Sequence, residues 1–188
     1  MRSLDLLHLE QTSRILSQSC HNRFKSNNFD RKPTVTGVIE MNIEIRPATL
    51  ADVPTLANWN KQLIEDEGSR NPMNIIELTN RMIGLLKSDW HAVMINVDGE
   101  EAGYMLYKEG RDDYFPDQPT VYVRQFFIRR EKRSKGLGEA SFNLISEKYF
   151  PKGSELSLEV LESNPRGNKF WEKIGFRVYC TTMKRKDM

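Results

Sequence analysis

The 188-residue sequence has few cysteines, few histidines and no long apolar run. Its two cysteines, Cys20 and Cys180, lie far apart and have neither the spacing of a metal site nor that of a disulfide framework. The three histidines form no ligand set with them, so no metal is expected. No apolar stretch approaches the roughly 18 residues that a membrane-spanning helix needs. We therefore expect a cytoplasmic, metal-free protein that does not associate with membranes.

A surplus of charge of one sign is also missing. The chain has 28 Lys and Arg residues and 26 Asp and Glu residues, and the two signs are interspersed. Nucleic-acid binding would require a basic stripe that follows the phosphate backbone. Nucleic acid is therefore not an expected partner.

The first 40 residues differ in kind from the rest of the chain. Their first half is compatible with a short amphipathic helix, whereas their second half is polar and rich in turn-forming residues. No basic segment precedes an uninterrupted apolar one, so a secretory signal is not predicted. We expect residues 1–40 to be an extension of unclear role, explained most simply by an upstream start codon, and residues 41–188 to form a single domain.

Hydrophobic periodicity and turn signals divide residues 41–188 into strands and helices. Asp98-Gly99 is a strong signal for a two-residue β-hairpin, and Thr49 or Asp52 suits a helix N-cap. The predicted strands are Ile43–Arg46, His91–Val97, Ala102–Lys108, a strand from Thr120, Glu155–Leu161 and a strand or hairpin over Phe176–Lys184. The predicted helices are one that runs through Trp59 and Ile64, then Ile75–Leu86, Leu137–Tyr149 and Pro165–Ile174. This order predicts a mixed α/β sheet with helices on both faces.

The most informative stretch is an apolar strand that ends in a basic, glycine-rich turn. Residues 121–138 read VYVRQFFIRREKRSKGLG, and a helix is predicted to follow. The unpaired N–H groups at the start of that helix suit an anion, which Gly136 and Gly138 would allow to approach and which Arg133 and Lys135 would attract. The turn predicts a pyrophosphate site, with a solvated basic helix cap as the alternative.

Two common phosphate motifs do not fit this turn. A P-loop requires a later Lys-Ser/Thr pair, which the residues after Gly136 lack. A dinucleotide-binding fingerprint requires a third glycine at the position of Ser141. Nucleotide hydrolysis and dinucleotide binding are therefore not predicted.

The spacing of Arg133, Gly136 and Gly138 resembles the acyl-CoA-binding signature of the GNAT superfamily of N-acetyltransferases, Arg/Gln-x-x-Gly-x-Gly/Ala. MNIEIRPATLADVPTLANW, from residue 41, is similar to the family's first strand and helix, and LSLEVLESNPRGNKFWEKIGF, from residue 156, looks like its late strand, Asn and aromatic helix. The resemblance implies an α/β (α+β) fold whose mixed, mostly antiparallel twisted sheet has six to seven strands. That sheet would be splayed between two central parallel strands, with helices on both faces.

The resemblance also implies how acetyl-CoA, the acyl donor, is held. The backbone of the central strand and Asn164 would bind the pantetheine arm, and the basic turn would bind the pyrophosphate. A helix cap before Pro165 is the alternative role for Asn164. The implied acetyl-CoA-binding residues are Phe127, Ile128, Arg133, Ser134, Lys135, Gly136, Leu137, Gly138, Glu139, Asn164 and Trp171.

Two residues depart from the pattern of the family. Trp171 stands where many members have a tyrosine that protonates the leaving thiolate, and indole cannot serve as that acid. Trp171 would instead line the acyl-CoA channel or fill the core. Gln125 stands where some members have a glutamate base on the central strand, and an amide cannot accept a proton at neutral pH.

A base is nevertheless required, because an alkylamine with a pKa of roughly 10.4 is protonated at neutral pH. The candidate bases are Glu159 and Glu65, the latter within the cluster Glu65-Asp66-Glu67, with His91 a more remote choice. The candidate proton donors to the thiolate are Tyr179, Tyr104 and water.

These residues predict an N-acetyltransferase that moves an acetyl group from acetyl-CoA to a primary amine by direct attack in a ternary complex. The acidic cluster, together with Asp112, Asp113 and Asp117 in a nearby hairpin tip, favours a small cationic amine. Two alternatives stay open: acetylation of a protein N-terminus or lysine, and a CoA-binding module without turnover. A homodimer is compatible with the sequence, which does not indicate an oligomeric state.

Overall fold

A computed structural model describes residues 41–133 and 136–185. The described strands are β1 (Ile43–Pro47), β2 (His91–Val97), β3 (Glu100–Arg111), β4 (Pro119–Ile128) and β5 (Glu155–Leu158). The described α-helices are α1 (Val53–Asp66), α2 (Ile75–Leu86), α3 (Leu137–Tyr149) and α4 (Pro165–Lys173). Short 3-10 helices at Leu50–Asp52 and Arg130–Lys132 precede α1 and follow β4. The predicted N-terminal extension lies outside the described residues, as do Ser134 and Lys135 of the basic turn.

The strands form one mixed sheet in the order β1-β2-β3-β4-β5. The first four strands are antiparallel to their neighbours, whereas β4 and β5 run parallel. At the turn between β2 and β3, Asp98 and Gly99 have φ values of 54° and 80°, as a two-residue hairpin requires. The predicted mixed α/β architecture and this hairpin are confirmed.

The prediction of six to seven strands is wrong, because the described part of the chain has five. No strand forms over Phe176–Lys184, and β5 ends at Leu158 rather than Leu161. Val178 and Tyr179 of that C-terminal segment are 81% and 96% exposed. Aromatic and β-branched residues favour a strand only where a neighbouring strand and a packed face accept them. No described strand pairs with this segment.

Helices cover both faces of the sheet, and each face has its own apolar cluster. On the face of α1 and α2, the cluster includes Leu56, Trp59, Met82, Met94, Tyr104 and Phe127. On the face of α3, it includes Leu137, Phe142, Ile145, Val93, Met105 and Val121. Among the described helices, none is both long and apolar enough to cross a membrane.

Asp52 fixes the position of α1 relative to β1. Its carboxylate accepts hydrogen bonds from the Arg46 guanidinium at 2.7 and 2.9 Å and from the Thr49 N–H at 2.7 Å. Asp52 is buried, and its hydrogen bonds with Arg46 lower the pKa of its carboxyl to about 2. The start of α1 is thereby tied to the edge strand.

Candidate active site

β4 and β5 separate partway along their length. They pair over residues 120–123 and 155–158, after which β4 continues alone to Ile128. A cleft of about 450 Å³ opens there, lined by the second half of β4, the residues after β5 and the ends of α1, α3 and α4. Because no described strand pairs with this edge of β4, its backbone polar groups need other partners.

A β-bulge in β4 marks the point of separation. Val123 pairs with Tyr107 and Gln125 pairs with Leu106, so Arg124 is the extra residue between them. A bulge bends the strand and redirects its side chains. Here Arg124 lies over the ring of Trp90, and Gln125 accepts a hydrogen bond from Tyr104. The two successive side chains therefore both lie on the sheet face that α1 and α2 cover.

The glycine-rich turn forms one end of the cleft. Gly136 is the N-cap of α3 and has a φ of 77°, which glycine adopts without strain, and a Cβ built on it would have no described atom within 4 Å. Gly136, Gly138 and Glu139 line the cleft, whereas Leu137 is buried in the core. The first N–H groups of a helix lack intrahelical partners, so this end of the cleft suits an anion.

Gly138 has a packing role that the sequence did not reveal. A Cβ there would lie 3.1 Å from Cε2 of Phe170, which belongs to α4. The absence of a side chain therefore allows α3 and α4 to pack closely beside the cleft.

Arg133 lies at the cleft, and its charge is already paired. Its guanidinium binds the Asp66 carboxylate at 2.5 Å, and its Nε donates to the Ile128 carbonyl at 2.7 Å. The same guanidinium lies 5.4 Å from the centroid of the Phe127 ring. Arg130 also pairs with Asp66, at 2.8 Å. These contacts join the end of α1 to the end of β4.

The three predicted catalytic residues do not lie together. Glu159 is exposed at the cleft, just beyond β5, and interacts with the Tyr122 hydroxyl. Glu65 is exposed and pairs with Arg130 at 3.4 Å. Tyr179 lies in the exposed C-terminal segment and is not among the residues that line the cleft. Of the three, Glu159 alone borders the cleft.

Glu67, the last residue of the predicted acidic cluster, also borders the cleft. Its carboxylate makes no hydrogen bond or ion pair with a described residue. Burial, and after it the charge of Asp66, raise the pKa of Glu67. The signal in the sequence was its helical spacing from Leu63 and Ile64, which are both buried. A carboxylate whose pKa is raised by burial accepts a proton more readily than an ordinary glutamate, which suits a general base.

A buried polar network adjoins Glu67. The Tyr104 hydroxyl donates to Oε1 of Gln125 at 3.1 Å and lies beside the Asn60 side chain. Burial, and after it the charge of Glu67, raise the pKa of Tyr104 far above its usual value, which makes it a hydrogen-bond donor rather than an acid. Asn60 is 1% exposed, and its Oδ1 has no hydrogen-bond partner among the described residues. Such an atom marks a place for a water or a ligand group.

A sequence model of the acetyltransferase (GNAT) family matches residues 54–176, which is well over half of the chain. The chain belongs to the GNAT acetyltransferase family. It is thus an acyltransferase. No curated protein sequence matches the chain significantly.

Solved structures share the GNAT fold at low sequence identity. A possible acetyltransferase from Clostridium difficile 630 is 20% identical, with a TM-score of 0.63 over 78% of this chain and 97% of that one. A ribosomal-protein-alanine N-acetyltransferase from Brucella melitensis biovar Abortus 2308 is 17% identical, with a TM-score of 0.61 over 78% and 100%. The aminoglycoside N-acetyltransferase AAC(6')-Iy, in complex with CoA, is 15% identical, with a TM-score of 0.61 over 78% and 95%. These likenesses establish the fold.

The GNAT resemblance implicates Asn164, the N-cap of α4, and Trp171 of α4. Both residues border the cleft. Oδ1 of Asn164 accepts the Gly167 N–H at 2.8 Å, so this residue caps α4 while facing the cleft. Trp171 packs against Phe142, Phe170 and Phe176 with ring centroids 5.7, 4.9 and 5.3 Å away. It therefore belongs to an aromatic wall. The roles of both residues in binding acetyl-CoA stay predictions.

Proposed function

We propose that this GNAT enzyme transfers the acetyl group of acetyl-CoA to a primary amine of a small molecule within a ternary complex. One observation carries the proposal: a single cleft is bordered both by the start of α3, which suits a phosphate, and by the unpaired, half-buried carboxylate of Glu67. A CoA-type donor is further supported by the CoA complex of the aminoglycoside N-acetyltransferase that shares the fold.

The donor would lie along β4. The first turn of α3, with Ser134 and Lys135 as predicted neighbours, would bind the pyrophosphate. The unpaired edge of β4 from Phe127 to Ile128, together with Asn164, would bind the amide groups of the pantetheine arm. An acetyl group at the end of that arm would then be near Gln125, within the splayed part of the cleft.

The chemistry requires a group that accepts a proton and a hydrogen-bond donor that stabilises the oxyanion. The amine attacks the thioester carbonyl carbon, so that a C–N bond forms and the C–S bond breaks. Glu67 would accept the proton that the ammonium form of the amine must lose before attack, directly or through a water molecule, and the second proton of the attached nitrogen would leave to solvent. A backbone N–H of β4 would stabilise the oxyanion. The CoA thiolate, with a pKa near 8.5, takes a proton from solvent and needs no tyrosine at position 171.

A small-molecule acceptor is favoured over a protein segment by the size of the cleft. Its volume of about 450 Å³ falls in the range of small-molecule sites and must also hold the pantetheine arm of the donor, which leaves room for a small amine rather than for a chain segment. The fold does not decide the acceptor, since the structures that share it include enzymes named for a ribosomal protein and for aminoglycosides. A CoA-binding module without turnover is disfavoured because it would have no use for the unpaired Glu67 carboxylate.

Calorimetric titration of acetyl-CoA tests the donor site with two matched variants. Gly136 and Gly153 share a φ of 77°, and neither has a described atom within 4 Å of a built Cβ. Replacing either glycine by tryptophan therefore imposes a similar backbone strain, but only Gly136 lines the cleft. We expect Gly136→Trp to weaken acetyl-CoA binding by at least about a hundredfold, since it blocks the anion site, and Gly153→Trp to leave it unchanged.

Two results would overturn this proposal. One is a folded wild-type protein that does not bind acetyl-CoA at all. The other is equal affinity in the Gly136→Trp and Gly153→Trp variants. If acetyl-CoA binds but no primary amine in a broad panel releases CoA, the module without turnover becomes the better description.

A further inference from the structure

Gln125 places a hydrogen-bond donor of fixed orientation at the cleft. Its side chain is 8% exposed and lines the cleft where β4 and β5 have separated. Its Oε1 accepts a hydrogen bond from the Tyr104 hydroxyl at 3.1 Å. Its Nε2 carries two N–H groups, and neither donates to a described residue. One end of the amide is therefore engaged by the protein, whereas the other end has no partner in the described part of the chain.

The orientation of the Gln125 amide is set by a tyrosine on β3. Tyr104 pairs with Phe127, two residues after Gln125, so Tyr104 and Gln125 are diagonal neighbours on one face of the sheet. The Tyr104 ring is fully buried and stacks on Trp59 with centroids 6.2 Å apart. Burial raises the pKa of Tyr104, so its hydroxyl keeps its proton and donates it to Oε1. The Nε2 group is thereby left free to donate.

The surroundings of Gln125 are apolar, which makes an unpaired donor unfavourable. Tyr104, Leu106 and Phe127, on the same face of the sheet, all belong to the apolar cluster beneath α1 and α2. A buried amide is costly unless its polar groups find partners, so the Nε2 N–H groups require an acceptor atom. The cleft is where such an atom can enter. A ligand that displaces water there without supplying an acceptor atom would leave these N–H groups unsatisfied.

Gln125 is better placed to contact the acceptor than the acetyl carbonyl. The backbone N–H groups of an edge strand point along the plane of the sheet, whereas its side chains stand perpendicular to that plane. The open edge of β4 would thus contact the thioester. The Gln125 amide projects instead on the face that α1 covers, and Glu67 is the C-cap of α1. The start of α3, which suits the phosphate, packs on the opposite face.

Two arginines that line the cleft lack this combination of burial and fixed orientation. Arg133 binds the Asp66 carboxylate and is therefore engaged. Arg124 is exposed, and its guanidinium lies 5.3 Å from the centroid of the Trp90 ring. Exposed charges discriminate weakly between ligands because solvent screens them. Gln125 is the better candidate for selecting one amine over another.

We propose that the Nε2 group of Gln125, oriented by Tyr104, donates a hydrogen bond to an oxygen atom of the acceptor. The acceptor is then a small primary amine with a neighbouring hydroxyl, ether or carbonyl oxygen, whose amine is deprotonated by Glu67. This inference rests on the proposed function and specifies its acceptor. It narrows the small cationic amine expected from the sequence to one that carries such an oxygen.

Isosteric amine pairs test this inference. CoA release from acetyl-CoA is measured with 2-methoxyethylamine against butylamine, 2-aminoethanol against propylamine, and glycinamide against 2-methylpropylamine. The members of a pair differ in basicity, so the criterion is how their ratio of kcat/KM changes between wild type and variant. Gln125→Met removes the N–H groups and keeps an unbranched side chain. We expect it to lower kcat/KM about tenfold for at least one oxygen-bearing amine, through a higher KM, and less than about twofold for its alkyl partner.

Tyr104→Phe tests the positioning role of the tyrosine. It keeps the buried ring but removes the hydroxyl that engages Oε1, so the Gln125 amide can present either end to the cleft. We expect KM to rise about threefold to tenfold for the same oxygen-bearing amine and to stay unchanged for its alkyl partner. A purely structural role would affect both amines alike. If Gln125→Met does not fold, Tyr104→Phe decides the inference.

Two matched controls change residues that do not line the cleft. Gln118→Met makes the same substitution just before β4, where Nε2 of Gln118 donates to the Gly153 carbonyl at 2.6 Å. Tyr107→Phe removes a hydroxyl from β3 on the opposite face, in the cluster that α3 covers. Both variants should keep the wild-type ratio for every amine pair. Calorimetry with acetyl-CoA is run on every variant, and its Kd should not change.

The outcomes separate the inference from the function on which it rests. An equal fall in kcat/KM for both members of every pair in Gln125→Met would mean that Gln125 acts on the acetyl group. That result would overturn the inference and leave the N-acetyltransferase proposal standing. Unchanged ratios in either Gln125→Met or Tyr104→Phe, or weaker acetyl-CoA binding in either, would also overturn it. Turnover of no amine at all by folded protein that binds acetyl-CoA would overturn both.

Discussion

Glu67 differs from its two acidic neighbours in its surroundings rather than in its chemistry. Glu65 and Asp66 have arginine partners that engage their carboxylates. Glu67 is the next residue along the chain, faces the cleft and has no described partner for its carboxylate. Two adjacent residues at the end of α1 thus differ: Asp66 forms a structural ion pair, whereas Glu67 is a candidate base.

The first prediction concerns the Glu67→Gln substitution. We expect it to lower kcat by about a hundredfold to ten-thousandfold, the range for loss of a general base, with the Kd of acetyl-CoA unchanged. Because the pKa of Glu67 is raised, wild-type activity should fall as the pH drops through a value above that of an ordinary glutamate. This acid limb should be absent from the residual activity of the variant.

Glu65→Gln is the matched control for this prediction. It makes the same chemical change two residues earlier, at an exposed ion pair, and should leave the steady-state rate constants unchanged. An equal loss of kcat in both variants, or an unaltered pH profile in Glu67→Gln, would show that Glu67 is not the base.

Individual site residues were predictable where the local backbone conformation requires one residue type. Gly136 at a positive φ and Asn164 at a helix cap have local causes that a motif records. Glu67 has no such signature. Its place at the cleft depends on where α1 ends and how that helix packs on the sheet, which are tertiary properties.

Among the secondary-structure elements, β1 and α1 are joined by a single buried carboxylate. Asp52 accepts from both Arg46 and Thr49, so one side chain links the edge strand to the start of the helix that carries Glu67. The stability of this link depends on the charge of Asp52, and therefore on pH.

We expect Asp52→Asn to destabilise the protein by about 1–2 kcal/mol at pH 7, allowing for solvent around Arg46. The folded pKa of about 2 lies below the usual aspartate value, so the ion pair stabilises fully above pH 5 or so and loses its effect as the pH falls towards 2. Urea denaturation at several pH values measures the difference between wild type and variant, which should shrink on acidification.

Asp89→Asn serves as its control because Asp89 pairs with Lys108 at the surface. Surface pairs contribute little, so this variant should match the wild type at every pH. A difference for Asp52→Asn that stays constant with pH would mean that packing, and not the ion pair, is responsible.

The elements themselves were largely predictable, with one exception. Alternating apolar residues and the Asp98-Gly99 turn predicted the antiparallel meander, and capping residues predicted where helices start, because these signals are local. Phe176–Lys184 has the composition of a strand but no described strand beside it. A sequence records the propensity of a segment, but whether a partner strand lies next to it is decided by the fold.

For the whole molecule, the described core is contained within the residues that follow the N-terminal extension. The two sheet-facing apolar clusters draw their members from residues 41–176. We predict that a chain starting at Met41 unfolds within about 2 °C of the full chain, a change of under about 1 kcal/mol, and binds acetyl-CoA with the same Kd.

Differential scanning calorimetry and an acetyl-CoA titration on the two chains make this comparison. A markedly lower midpoint for the shorter chain would assign residues 1–40 a part in the stability of the domain. A weaker Kd at an equal midpoint would instead assign them a part in the donor site.

The order of the strands in the sheet is the same as their order in the chain, and this has a consequence for synthesis. As the polypeptide leaves the ribosome, each strand after β1 finds its sheet neighbour already made, so the sheet can grow from one edge without waiting for a distant segment. The far wall of the cleft, formed by the residues after β5 and by α4, emerges last. Nascent chains that stall before this point would form a meander with its helices but lack one wall of the cleft, so α4 must be synthesised before the cleft is complete.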